Sequence, residues 1–366
     1  MKISQVITHN LVSPVERPYR NCCSEWIRTR AATLFEVRTD NGLIGWGEGD
    51  GAPSPEDIET HVIGSSPFDY EVIYDALSLN GRNARSACGI EMALWDLMGK
   101  ALDMPIYQLL GGARRTQVPA YASGFFMREG LDHITDLVEG ASRCRDEGFR
   151  AVKLRVGFGP DQDERIVSAV QETIGGDVRL AVDVNMGYDV PTAIDVGRRL
   201  DGFDLLWCEE PIVDQDVDGY LEIQQALPLR IAGAESKSGL RAFREMVQRR
   251  AVDVIQPDIS RAGGFTEGRR ICALAAANDV HVIPHAFGSA VQLAATLQWL
   301  AVIPDDPAEL DPLPAYLELD VMENLLRTDL ALTPFELKDG IMAIPDRPGL
   351  GVELNEYALH RWAERG

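Results

Sequence analysis

Charged residues in the middle of this 366-residue sequence recur at near-constant intervals. Asp183 and Glu209 are 26 residues apart, Glu209 and Glu235 are 26 apart again, and Asp258 and His285 follow after 23 and 27. Each sits just past a short apolar run, as do Lys153 and Arg155 upstream, while Glu318 and Asp320 lie in the last such run. Carboxylates gathered in one place repel one another and raise each other's pKa unless a cation lies between them. A purely oxygen ligand set of Asp183, Glu209 and Glu235 favours Mg2+ over zinc or copper. Taken singly, each acid has a plainer reading as the N-cap of the helix that follows it. Three at equal spacing on consecutive strands point instead to a shared site.

That spacing is one strand–helix unit per step. Apolar runs at 117–122, 150–156, 178–184, 204–208, 229–234, 252–257, 280–284 and 314–319 read as strands, with amphipathic helix-length stretches between them. Eight parallel strands separated by helices predict a barrel, whose C-terminal strand ends converge on one mouth. The first fifty residues read differently. Ala32–Thr39 alternates, Asp40-Asn41-Gly42 signals a hairpin turn, and Leu43–Glu48 is the return strand. Residues 55–110 read as helices, the clearest from Ala84 to Ala101, with Ile90, Leu94, Leu97 and Met98 on one face. After 335 the chain returns, with a strand-like 340–345 and a helical 355–364.

The composition narrows the partners. A formal charge of -22 argues against nucleic acid and anionic membrane. No apolar run reaches the roughly 18 residues that span a bilayer, and the opening residues lack a signal-peptide core, so a cytoplasmic protein is expected. The six cysteines contain no C-x-x-C pair and do not form a disulfide framework. Only five of 35 basic residues are lysine; an acidic, arginine-rich surface fits either a salt-adapted protein or a GC-rich genome.

Several segments resemble the mandelate racemase branch of the enolase superfamily: Val182-Asp183-Val184-Asn185, Trp207-Cys208-Glu209-Glu210-Pro211, Ala232-Gly233-Ala234-Glu235, Ile255-Gln256-Pro257-Asp258 and Ile283-Pro284-His285. Met92–Lys100 with Leu109-Leu110-Gly111-Gly112 is similar to that branch's capping-domain helix and its exit, and Pro348–Val352 to its C-terminal turn. The resemblance covers nearly the whole chain in order. It implies an α/β fold, a (β/α)7β-type modified TIM barrel over 116–334, with an α+β capping domain over 1–115 completed by 335–366.

The resemblance also implies chemistry. Asp183, Glu209 and Glu235 would hold Mg2+, with Glu210 behind them, and the reaction would remove the α-proton of a carboxylate through an enediolate. Such a proton is too weak an acid for an imidazole alone; charge stabilisation by the metal brings it within range of a base with pKa near 7. Enzymes of this superfamily pair a Lys or His base with Mg2+. By resemblance His285 is then a base or acid, with Asp258 on its far nitrogen, and Glu318 binds the substrate carboxylate, with Asp320 as the rival. The family's second strand carries Lys-x-Lys; here it is Lys153-Leu154-Arg155. Arginine stays protonated, which favours a one-base reaction, with Arg155 orienting the substrate carboxylate or stabilising charge and Lys153 lining the metal or carboxylate side. Arg20, Trp26 and Asn185 are further substrate-binding candidates, and Trp46–Gly51 is expected to be a flexible second loop. Val156–Gly159, His285–Gly288, Val291–Ala295 and Leu317–Asp320 look closest to galactarolactone cycloisomerases and related acid-sugar dehydratases. The expectation is therefore a homo-oligomer (dimer to octamer) acting on a small carboxylate by dehydration of an aldonate or aldarate. Cycloisomerisation of a sugar lactone such as galactarolactone is the first alternative, then racemisation or epimerisation; an inactive barrel-fold binding protein is the non-enzyme alternative.

Overall fold

Alternation in the first fifty residues yields three antiparallel strands in a meander: β1 (Ile3–Arg20), β2 (Ile27–Thr39) and β3 (Ile44–Glu48). The architecture comes from a computed structural model that describes residues 1–79, 81–304 and 313–364. The β2–β3 turn holds Gly42 at φ +88°, the left-handed region the turn signal predicts. Phe35 and Val37 of β2 pack on the helix Ala84–Leu102 through Ile90, Leu94 and Leu97, all fully buried. That helix ends at Asp103, itself left-handed at φ 54°. The expected flexible loop at Trp46–Gly51 is not loose. Gly47 lies in β3 so close to the helix that a Cβ there would sit 1.9 Å from the Gly89 carbonyl oxygen. The glycines there serve close packing rather than flexibility.

From residue 117 onward the strands become parallel. β4 (Gln117–Ser123) is followed by the two-residue β5 (Met127–Arg128), which pairs with β1 instead. Then come β6 (Ala151–Arg155), β7 (Arg179–Asp183), β8 (Cys208–Glu209), β9 (Ile231–Gly233), β10 (Val254–Ile255), β11 (His281–Val282) and β12 (Leu317–Asp320). The ladder runs β12-β4-β6-β7-β8-β9-β10-β11, with a helix between each consecutive pair of barrel strands. This is the expected (β/α)7β arrangement, but the ring of backbone pairing is open between β11 and β12 among the described residues. A side chain spans the seam: the Ala286 N–H donates to Glu318 Oε2 at 3.0 Å.

Several paired strands are shorter than the apolar runs that announced them, notably β8 and β10. Apolarity marks burial, and burial extends past the residues that make ladder hydrogen bonds. The barrel interior is a packed plug. Trp207 and Tyr121 meet edge to face with centroids 5.4 Å apart and are surrounded by the small Ala151, Ala181 and Ala232. Alternate residues of a strand share a face, so Lys153 and Arg155 follow Ala151 inward and Asp183 follows Ala181. The apolar plug thereby gives way to a polar layer at the C-terminal mouth.

Two short strands close the chain, β13 (Leu337–Lys338) and β14 (Ile341–Ala343). β14 pairs antiparallel with β4, while the final helix Glu356–Trp362 leads to a bridge between Ala363 and Leu11 of β1. Capping domain and barrel are pinned by buried carboxylates at helix N-termini. Glu91 accepts from the Phe265 and Thr266 N–H groups at 2.9 and 2.8 Å. Glu48 accepts from Ser289 N, Ser289 Oγ and Gln292 N. Both meet the positive end of a barrel helix, where a carboxylate is favoured. Among the described residues no helix is long and apolar enough to cross a membrane.

Candidate active site

Adjacent parallel strands deliver the three acids side by side. Asp183 ends β7, Glu209 ends β8, and Glu235 stands two residues past β9. A ligand oxygen from each lies within 4.8 Å of the others. Asp183 and Glu209 are already braced: Arg155 pairs with Asp183 Oδ2, the Asn185 N–H donates to Asp183 Oδ1 at 2.8 Å, and Lys153 Nζ, Trp207 Nε1 and Gln256 Nε2 donate to Glu209 at 2.5, 2.9 and 2.7 Å. Glu235 is not. Its buried Oε2 accepts no hydrogen bond from the described residues, although His285 Nε2 stands 3.3 Å away, and the nearest guanidinium, Arg261, is 3.7 Å from Oε1. A buried carboxylate oxygen without a donor, beside two further carboxylates, fits a divalent cation with oxygen preference.

Asp258 and His285 are bridged in parallel register just beyond β10 and β11. Asp258 Oδ2 lies 2.7 Å from His285 Nδ1, which leaves Nε2 facing the acids, 3.3 Å from Glu235 and 3.9 Å from Glu318. Burial would raise the Asp258 carboxyl and lower His285. The His285 hydrogen bond and the nearby Arg261 charge hold Asp258 well below the carboxylate range. Glu235, Glu318 and Asp258 together lift His285 above its ordinary value. A cation among the three acids would offset the Glu235 part of that lift.

Glu318 accepts from Ser123 Oγ at 2.6 Å and pairs with Lys153 Nζ at 2.8 Å. Despite burial, which opposes it, the Lys153 charge brings the Glu318 carboxyl down to about 2. Lys153 is fully buried; desolvation works against its charge, yet Glu209 and Glu318 push its pKa up, so it stays protonated. Arg155 is clamped by Asp183 and by the rings of Phe126 and Phe287, 4.7 and 5.8 Å from its Cζ.

Of these groups, Arg155, Asn185, Glu235 and His285 line a cavity of about 360 Å3 between barrel mouth and capping domain, while Asp183, Glu209, Asp258, Lys153 and Glu318 stand behind its wall. Not all sequence candidates reach it. Arg20 and Trp26 stack on each other, 5.2 Å from Cζ to ring, and neither is on the wall. Asp320 is buried in an ion pair with Arg30. Sequence reasoning missed Arg30, Arg261 and Phe287 on the wall, and Gln292, whose amide donates to both Asp258 oxygens at 2.9 and 2.8 Å. A faint signal existed for Arg30, a polar residue on the same strand face as Ala32 and Leu34. Nothing local pairs it with a residue 290 positions later.

A family model described as mandelate racemase / muconate lactonizing enzyme, N-terminal domain, matches residues 5–111, and one described as enolase C-terminal domain-like matches 136–358. The chain is 38% identical to a D-galactarolactone cycloisomerase from Agrobacterium fabrum, over 98% of both chains. It is similar to the crystal structure of a 3,6-anhydro-D-galactonate cycloisomerase from Zobellia galactanivorans, with TM-score 0.86, 30% identity and full coverage of both chains. It is also similar to the structure of an L-talarate/galactarate dehydratase variant liganded with Mg and L-glucarate, with TM-score 0.84 and 28% identity, covering 100% of this chain and 92% of the other.

Proposed function

Because the chain belongs to the mandelate racemase/muconate lactonizing enzyme branch of the enolase superfamily, we propose that it catalyses Mg2+-dependent β-elimination from an acid sugar with His285 as its one base. The observation that carries this reading is the fate of the second strand. Arg155 is salt-bridged to Asp183 and stacked on two rings, and Lys153 is buried and held protonated, so neither can take a proton. Among the described residues, that leaves His285 Nε2 as the proton-accepting nitrogen on the cavity wall, with the Glu235 carboxylate reserved for the metal.

Asp183, Glu209 and Glu235 would hold Mg2+, which supplies positive charge to the substrate carboxylate as the α-proton leaves. The protein does the rest. His285 Nε2 accepts the α-proton, and Asp258 fixes the tautomer by accepting from Nδ1 and stabilises the imidazolium that results. The electron pair released at the α-carbon forms the carbon–carbon double bond as the bond from the β-carbon to oxygen breaks. The imidazolium returns its proton to the departing oxygen on the same face. Lys153 and Ser123 hold Glu318 beside the site, and Arg155 and Asn185 orient the substrate from the wall. A departing hydroxyl gives dehydration, the first reading. A departing ring oxygen gives cycloisomerisation of a lactone, favoured by the 38% identity that spans nearly all of both chains.

The test is a set of aldonates, aldarates and sugar lactones incubated with enzyme and Mg2+ in D2O and followed by proton NMR. The expected result is elimination from at least one substrate, abolished by chelator or by Glu235→Gln, with the α-proton of only one epimer exchanging. Wash-out from both epimers would establish a second base and overturn the one-base reading. Full turnover in chelator would remove the metal from the mechanism.

A further inference from the structure

Arg30 reaches from β2 of the capping domain to the cavity wall. Its Nη1 donates to Tyr19 Oη at 2.7 Å, its Nη2 pairs with Asp320, and its Cζ lies 4.3 Å from the Phe287 ring centroid. Asp320 would cancel this charge if Arg30 were its only partner. It also faces Arg327, whose Nη1 is 3.6 Å from Oδ2 and whose side chain lines a different cavity behind β12. Met322 N and Asn324 Nδ2 donate to Asp320 as well, at 2.8 and 3.4 Å. Two guanidiniums sharing one carboxylate leave one positive charge, and Arg30 is the member that borders the cavity. A desolvated guanidinium in excess of its anions is unfavourable until an acceptor arrives. Phe287 neighbours both this charge and the reacting end: its ring is 6.4 Å from that of His285. Arg30, Thr29, Asn21 and His285 all line the same cavity, so a short carbon chain with its α-carbon at His285 shares that space with the Arg30 guanidinium.

We infer that Arg30 forms a second carboxyl subsite, so that the substrate is oxidised at both ends: an aldarate or its monolactone, and not an aldonate ending in a hydroxymethyl group. The inference rests on the acid-sugar reading above and narrows it. In an aldarate the far group is a carboxylate, which takes charge-assisted hydrogen bonds from a guanidinium. In a monolactone closed onto the β-oxygen it is the ring carbonyl. Breaking the bond from the β-carbon to the ring oxygen turns that carbonyl into a carboxylate, so Arg30 faces an anion after elimination in either case. A hydroxymethyl oxygen is neutral and offers the guanidinium far less.

The test uses native enzyme with Mg2+ and pairs of six-carbon acid sugars that differ only at the terminal carbon. The expected preference in kcat/KM for the doubly oxidised member is roughly ten- to hundredfold, expressed mainly in KM. Arg30→Gln, with folding checked by thermal melting, collapses the ratio to within about threefold, and Arg30→Lys restores part of it. A native enzyme that prefers the aldonate, or an Arg30→Gln variant that keeps the native ratio, overturns the inference. Calorimetric titration with adipate and 6-hydroxyhexanoate, which have equal chain length and no leaving group, separates this from failure of the reaction assignment. Tighter adipate binding that disappears in Arg30→Gln supports the subsite even if no acid sugar turns over. Equal binding of the two by native enzyme overturns it.

Discussion

His285 and Arg155 show how little the identity of a residue says without its neighbours. As the proposed base, His285 depends on Asp258, which occupies its Nδ1 and leaves Nε2 toward the cavity, and Asp258 is itself aimed by Ser260 and Gln292. Replacing His285 with Asn keeps a polar side chain of similar reach but removes the proton acceptor. Turnover of an accepted substrate should fall by roughly 10^2- to 10^4-fold, while Mg2+ affinity, read by calorimetry, stays within about threefold. Wild-type turnover in that variant would place the base elsewhere. Arg155 stands where the family resemblance implies a lysine, and its geometry explains what a guanidinium does there. It grips Asp183, a candidate metal ligand, and stacks on Phe126 and Phe287, contacts a lysine ammonium reproduces poorly.

At the scale of elements, the capping domain is held on the barrel by carboxylates that cap barrel helices. Glu91 lies on the long capping-domain helix yet satisfies the first turn of Gly264–Ala276, and Gly264 is required because a Cβ there would fall 1.8 Å from Glu91 Oε2. Burial pushes the Glu91 carboxyl up to about 7, although the Thr266, Phe265 and Trp95 donors pull the other way. Between the ordinary carboxyl value near 4.5 and about 7 the unfolded chain has lost this proton and the folded chain retains it, so stability falls as pH rises through that window. The expected contribution is roughly 3 kcal/mol. Glu91→Gln should be less stable than native at pH 4.5 by its poorer cap, and the gap should narrow toward pH 8. Urea unfolding at both pH values measures it; a gap that widens with pH would show that Glu91 folds as the anion. Glu48 does the same for the helix Ala290–Leu300, and because Gln292 in that helix binds Asp258, docking of the capping domain also fixes the His285 partner.

For the whole molecule the dominant fact is charge. Net -22 on one chain makes the folded state repel itself, and added salt screens that repulsion over a Debye length of about 10 Å at 0.1 M. The buried pairs that build the site, such as Lys153 with Glu209 and Glu318, are shielded from this screening. Raising NaCl from about 0.05 to about 1 M should therefore raise Tm by several degrees. Calorimetric scans across that range check it, and a falling Tm would mean that surface ion pairs such as Arg199 with Asp161 outweigh the general repulsion.

Local pattern determined the parts of this protein that repeat. Alternation and turn chemistry gave the meander, helical spacing gave Ala84–Leu102, and one charged residue per strand–helix unit marked the mouth, because a parallel barrel converts equal sequence spacing into spatial adjacency. The same regularity brought Asp183, Glu209 and Glu235 within ligand distance of one another and set Asp258 beside His285. Tertiary structure alone decided what had no period. Arg30 meets Asp320 across the interface of two elements, Glu48 and Glu91 cap helices that lie far along the chain, and Gly47 is pressed against Gly89 rather than left to flex. Contacts of this kind depend on how one unit docks on another. Docking is set by summed packing over whole surfaces, and a single sequence carries no local signature of it.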